Sequence, residues 1–113
     1  MKLRFTTDKI RIRLNQSDID TLKDQGMVEI IVRLGLDLLD VFKTSVILSE
    51  SLTPTIKMLN KHIRVYLPAA SICNWSDKQE VILAHEMEFS NTNILTLLIE
   101  FDKPCFHKEQ VNE

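Results

Sequence analysis

Residues 2–14 read "KLRFTTDKIRIRL", and the period of their apolar positions decides the fold. Leu3, Phe5, Ile10, Ile12 and Leu14 alternate with Lys2, Arg4, Arg11 and Arg13, the two-residue repeat of a strand with one buried face. A two-residue turn at Thr7-Asp8 pairs Phe5 with Ile10 and Leu3 with Ile12, which keeps the apolar side chains on one side of a hairpin. The same register sets Arg4 opposite Arg11 and Lys2 opposite Arg13. Like charges directly opposed on a strand pair cost something under ~1 kcal/mol per pair. This hairpin therefore calls for an acidic neighbour or a bound anion.

The same period governs most of the chain. In "NQSDIDTLKDQG" (15–26) Ser17 is expected to cap a short helix of about two turns, with Asp20 as its capping-box partner and Gly26 ending it in a left-handed conformation. Val28 to Leu34 and Phe42 to Leu48 alternate as strands, while the "LGLDLLD" between them fits either a loop or a helical turn. "TIKMLNKHIRVYLP" (55–68) reads as a second hairpin about Asn60-Lys61, with Met58 opposite Ile63, Ile56 opposite Val65 and Lys57 opposite Arg64. Pro68 opens a second short helix, "PAASICNW". Two last strands, Val81 to Phe89 and Ile94 to Phe101, place Val81, Leu83, His85, Met87 and Phe89 inward, facing Leu95, Leu97, Ile99 and Phe101. Odd positions facing odd positions require an odd-length connection. About eight strands and two short helices, joined mostly by hairpins, predict an α+β domain. Its mainly antiparallel sheet curls into a sandwich or partly open barrel.

The chain has 113 residues, 44% hydrophobic and 27% charged, with a net charge of −2. This suits one domain over residues 1–113, with a polar tail fraying from about residue 106, and is far from the composition of a disordered chain. Near-neutrality gives no bulk attraction to nucleic acid or to a membrane. Lys2, Arg4, Asp8 and Lys9 leave no apolar stretch for a signal peptide, and the longest uncharged run, Val65 to Ser76, is too short to span a bilayer. Cys73 and Cys105 make no disulfide framework and are expected as free thiols of a cytoplasmic protein.

Three islands, "RIRLNQSDIDTL", "IRVYLPA" followed shortly by Trp75, and "LLIEFDKPC", resemble a small bacterial family known as a domain of unknown function. They run from one end of the chain to the other. The resemblance implies a compact bacterial cytoplasmic protein and no particular mechanism.

Residues that could carry chemistry are few. Cys105 and His107 have the spacing of two metal ligands, but a structural zinc site needs four, and Cys73, His62 and His85 are scattered singly. No metal or other cofactor is therefore expected. His85 falls among apolar positions, where a neutral core histidine is the usual occupant. Glu86 and Glu88, two apart on one strand face, could act as an acid pair, but paired carboxylates on a solvated strand face are usually surface only, and Trp75 fits a lid over one end of the sheet. Cysteine–histidine catalysis needs an imidazole beside the thiol, which no spacing here supplies, so no catalytic residue is assigned.

The arginines are the sharpest feature. Arg4, Arg11, Arg13, Arg33 and Arg64 all fall on strands and on their polar sides, joined by Lys2, Lys43 and Lys57. Glu29, Glu86 and Glu100 are the strand acids that could pair with them. Triphosphate-handling barrels also project arginines from strands, but they open on an acidic Glu-x-Glu-x-Lys strand that "KLRFTT" lacks. Two readings follow. One is a non-enzymatic binding or interaction module with an ion-paired surface. The other is a binder, or an enzyme, of a phosphate- or carboxylate-bearing ligand held by the five arginines. Convergence of the guanidinium groups on a cavity separates the second from the first.

Overall fold

The computed structural model describes residues 1–76, 78–89 and 93–103. Its strands are β1 (Lys2–Phe5), β2 (Lys9–Leu14), β3 (Met27–Arg33), β4 (Val41–Ser49), β5 (Thr55–Leu59), β6 (His62–Pro68), β7 (Val81–Glu88) and β8 (Ile94–Phe101). Helix α1 (Gln16–Gln25) joins β2 to β3, and α2 (Ala69–Cys73) joins β6 to β7. No helix among the described residues is long and apolar enough to cross a membrane.

The strands form two four-stranded sheets, ordered β1-β2-β8-β7 and β3-β4-β6-β5. The result is an α+β, sandwich-like fold. Both hairpins fold in the register that their alternation predicts: Leu3 lies opposite Ile12 and Arg4 opposite Arg11, and Met58 opposite Ile63 and Lys57 opposite Arg64. The sheets depart from the expected antiparallel pattern at their centres, where β2 runs parallel to β8 and β4 parallel to β6. Each sheet is thus two antiparallel ribbons joined by one parallel seam. Alternation reports which face of a strand is buried, not which distant strand lies beside it.

One apolar cluster fills the space between the sheets. Ile10, Ile12, Leu14, Leu97 and Ile99 come from the first sheet, and Val46, Val65 and Leu67 from the second. Ile19 and Leu22 of α1 and Ile72 of α2 close it. Full burial of such a side chain is worth ~1.5–3 kcal/mol relative to exposure, so this cluster is the main stabilising element. At its margins Phe5 meets Phe42 edge-on across the two sheets, with ring centroids 6.2 Å apart. Trp75 packs on Phe101 at 4.9 Å and donates its indole N–H to the Gln79 carbonyl, covering one end of the core as its position suggests.

Helix α1 starts earlier than expected. Its N-cap is Asn15, whose side chain accepts from the Asp18 N–H at 2.8 Å while Asp18 accepts from the Asn15 N–H at 3.0 Å. The acceptor and acidic partner have the same three-residue spacing as Ser17 and Asp20, displaced by two residues. Asn15 follows β2 directly, and starting there gives a ten-residue helix that brings Ile19 and Leu22 to the core. Gly26 ends it at φ 77°, its N–H bonded to the Leu22 carbonyl, as expected for a left-handed cap.

Three other expectations are corrected or located. "LGLDLLD" is a loop, pinned by the Leu34 N–H to the Asp40 carbonyl at 2.7 Å and the Asp40 N–H to the Asp37 carbonyl at 3.0 Å. In the last hairpin Leu83, His85 and Met87 oppose Ile99, Leu97 and Leu95 as expected, but a bulge between Val81 and Leu83 turns Val81 outward. Phe89, expected inward, lies beyond the end of β7 and is exposed. Residues 89–93 make the required odd-length connection. The polar tail expected to fray lies outside the described residues.

Candidate anion-binding surfaces

The two sheets of a sandwich turn their polar faces in opposite directions, and this divides the five arginines. Arg4, Arg11 and Arg13 lie on the outer face of the first sheet, and Arg33 and Arg64 on the outer face of the second. They do not converge on one site.

On the first face, β8 and the residue that follows it supply the acids that the opening hairpin calls for. The parallel seam sets Arg13 beside Glu100, and Glu100 is ion-paired to Arg11 and lies 3.7 Å from Arg13 Nε. The Arg11 hydrogen bond holds the Glu100 carboxyl below its ordinary value against the opposing effect of burial, and the charges of Arg11 and Arg13 lower it further. Lys2 pairs with Asp102 at 3.0 Å. Arg4 enters no ion pair among the described residues. It borders an open cleft of about 550 Å³ with Lys9 and Arg11. Farther across, the edge strand β7 presents Glu86 and Glu88 to solvent. This face therefore grades from basic at β1 to acidic at β7.

On the second face the registers gather a different set of cations. The β4–β6 seam places Lys43 beside His62 and Ser45 beside Arg64, and the second hairpin brings Leu59 opposite His62. With Lys61 from the turn, Lys43, Leu59, His62 and Arg64 surround an open pocket of about 500 Å³ whose other wall is Leu38, Leu39 and Val41. Arg33 is Val41's register partner on β3 and is not among the residues that line the pocket. Lys61 Nζ lies 3.9 Å from Asp40, while Lys43 and Arg64 enter no ion pair among the described residues. Lys57, the next cation along, sits over the Tyr66 ring at 5.5 Å.

Lys61 is held in an unusual way. Asn60 and Lys61 both have positive φ, 50° and 64°, the conformation of a tight hairpin turn that favours Asn-Gly. A lysine there bears a backbone cost that glycine would not. Its carbonyl accepts from the Lys43 N–H at 3.0 Å, tying the turn to the pocket wall.

Beneath the pocket lies a polar cluster that the sequence reading missed. Ser45, fully buried, donates its hydroxyl to Glu29 at 2.8 Å, and His62 Nε2 stands 2.7 Å from the same oxygen. A serine hydroxyl carries one proton. With that proton given to Glu29, Ser45 accepts from His62, so Nε2 bears hydrogen and Nδ1 is the ring nitrogen left over. The residue types are those of a hydrolytic triad, but the order is not. Such a triad puts the imidazole between serine and acid with the hydroxyl open to substrate, whereas here the serine is central and sealed. The cluster orients His62 and supports no nucleophilic attack by Ser45.

The remaining candidates stay apart. His85 is half-buried opposite Leu97, and Cys73 is an exposed free thiol. Cys105 and His107 lie outside the described residues. No group of three or more metal-ligating side chains occurs among the described residues.

Fold and surface together define a small two-sheet α+β domain with polar, cation-bearing outer faces. The chain belongs to a family of unknown function, DUF7009, whose model matches residues 1–113. No curated protein and no solved structure matches it.

Proposed function

We propose that this protein is a binding module whose recognition site is the pocket on the second sheet, and that the site takes a phosphate- or carboxylate-bearing group. The observation that carries this reading is the convergence of Lys43, Lys61 and Arg64 on one concavity, with Asp40 at 3.9 Å from Lys61 as the acid paired there. The left-handed lysine supports it, since a strained residue retained at a pocket rim points to use of its side chain. The first sheet supports it by contrast, because Arg11 and Arg13 already share Glu100. A role in binding rather than catalysis agrees with the sealed position of Ser45. The setting proposed with it is the cytoplasm of a bacterium; the exposed free thiol of Cys73 is compatible with a reducing compartment.

The test is thermal stabilisation by phosphate, sulfate and acetate against sodium chloride at matched ionic strength, which removes general screening. An anion at ~100 times its dissociation constant adds roughly 2.7 kcal/mol, or about 10 °C in a domain of this size. Arg64→Ala should abolish the excess over chloride and Arg4→Ala should keep it. The reverse pattern moves the site to the cleft beside Arg4. No excess over chloride in the wild type refutes anion binding on either face.

A further inference from the structure

We propose that the ligand of the second-sheet pocket is a single-chain anionic amphiphile, its carboxylate or phosphate held by Lys43, Lys61 and Arg64 and its hydrocarbon chain laid against Leu38, Leu39 and Leu59. The inference deepens the anion-binding reading and rests on it. Its own support is the second chemistry of the same pocket. Leu38, Leu39 and Leu59 are 78%, 81% and 66% exposed, yet they line the concavity that the cations border. Large apolar side chains gathered at one exposed place mark a binding surface. Here a loop pinned at both ends by backbone hydrogen bonds holds two of them in place.

A bare inorganic anion would make no use of the leucines. A second copy of this chain docked face to face would gather two sets of Lys43, Lys61 and Arg64 into one interface, since a two-fold interface uses the same patch on both subunits, and like charge so concentrated is repulsive. An anionic bilayer would bring its headgroups against Asp37 and Asp40, which lie in the same loop as the leucines. A free amphiphile brings a single anionic head, which Lys43, Lys61 and Arg64 outnumber even with Asp40 beside Lys61, and a pocket of about 500 Å³ falls in the range that small ligands fill. His62, bound through Nε2 to Ser45, is held in place as one wall of the pocket.

Calorimetric titration of the whole protein with acetate, hexanoate, octanoate, decanoate and dodecanoate, each below its micelle concentration, tests this, with decanol as the neutral control. Affinity should rise about two- to fourfold for each methylene that enters the pocket and level off once it is full. Leu38→Ser should reduce the increment per methylene, so that it weakens dodecanoate by a larger factor than acetate. Arg64→Ala should weaken every acid by a similar factor. Both side chains are exposed, so the variants should keep the wild-type melting temperature, which is measured alongside.

Equal affinity for acetate and dodecanoate overturns the amphiphile and leaves anion binding standing. Equal affinity for decanol and decanoate overturns both. Saturable binding to phosphatidylserine vesicles without binding to monomeric decanoate or dodecanoate assigns the face to a membrane, and a Leu38-dependent dimer insensitive to the acids assigns it to self-association. Either result refutes the proposal.

Discussion

Arg11 and Glu100 lie 89 residues apart in the chain and are ion-paired across the parallel seam between β2 and β8. This contact resolves the conflict built into the opening hairpin, where Arg4 faces Arg11. The carboxylate draws Arg11 toward the seam and also serves Arg13. The hairpin is thus completed by the last strand, and the acid it needs comes from the protein itself.

Removing either partner should therefore destabilise the protein. Arg11→Ala and Glu100→Gln should each lower the melting temperature by roughly 2–4 °C, the scale of a partly exposed ion pair in a domain this small, and the double variant should lose less than the sum. A higher melting temperature for Arg11→Ala would show that repulsion from Arg4 outweighs the pair. The pH dependence has a defined sign. The folded state holds the Glu100 carboxyl below the ordinary glutamate value, so the unfolded state takes up the proton first as pH falls. The stabilising contribution is full above about pH 4.5 and is lost as pH drops through the lower folded-state value. Urea titrations from pH 6 down to pH 3 should show a shallower loss of stability in Glu100→Gln than in the wild type.

The ends of α1 give a sharper test of its boundaries. Asn15→Ala should cost ~1 kcal/mol by removing the cap acceptor, whereas Ser17→Ala, inside the first turn, should be close to neutral. Gly26→Ala should cost about 1 kcal/mol. A methyl group there meets no atom within 4 Å, so the cost is that of a left-handed alanine and not of a clash. Chemical denaturation measures all three, and equal losses at positions 15 and 17 would contradict the assigned cap.

Thr44 offers a stabilising change. Its side chain is fully buried on the inner face of β4, and its hydroxyl has no hydrogen-bond partner among the described residues. Burying such a group costs roughly 1–3 kcal/mol, so Thr44→Val should stabilise the fold by about 1 kcal/mol, raising the melting temperature by about 4 °C. Loss of stability in Thr44→Val would mean that the hydroxyl is satisfied after all.

Lys61 separates folding from binding in one substitution. Lys61→Gly relieves the positive φ at the turn and should raise stability by ~1 kcal/mol, because the ion pair to Asp40 at 3.9 Å is long and exposed. The same variant should bind phosphate or acetate severalfold more weakly than the wild type. A more stable protein with undiminished anion affinity would remove Lys61 from the site.

What the sequence disclosed and what it withheld divide along contact distance in the chain. The registers of both short hairpins were legible because alternation and turn chemistry act over a dozen residues, as with Leu3 and Ile12 or Met58 and Ile63. The neighbours of β2 and β4 across the seams were not, since nothing local in "KIRIRL" or "VFKTSVILS" names a partner. That gap hid the candidate site. Glu29 meets Ser45 through the β3–β4 pairing, legible only once "LGLDLLD" is known to be a loop, and His62 joins them only through the parallel β4–β6 seam. It also made five arginines on polar faces look like one basic surface, when the two sheets turn those faces apart.

The parallel seam also sets a timetable. β2 ends at Leu14, but its second neighbour is β8, residues 94–101. At about 5–20 residues per second, the emerging chain waits several seconds with that edge uncovered, while β3 to β6 can already assemble from residues 27–68. The second sheet can thus assemble first during synthesis, and the first sheet closes only with the final strand. A chain terminated before residue 94 would keep the two arginines without Glu100 and would carry an open strand edge, the template on which aggregation starts.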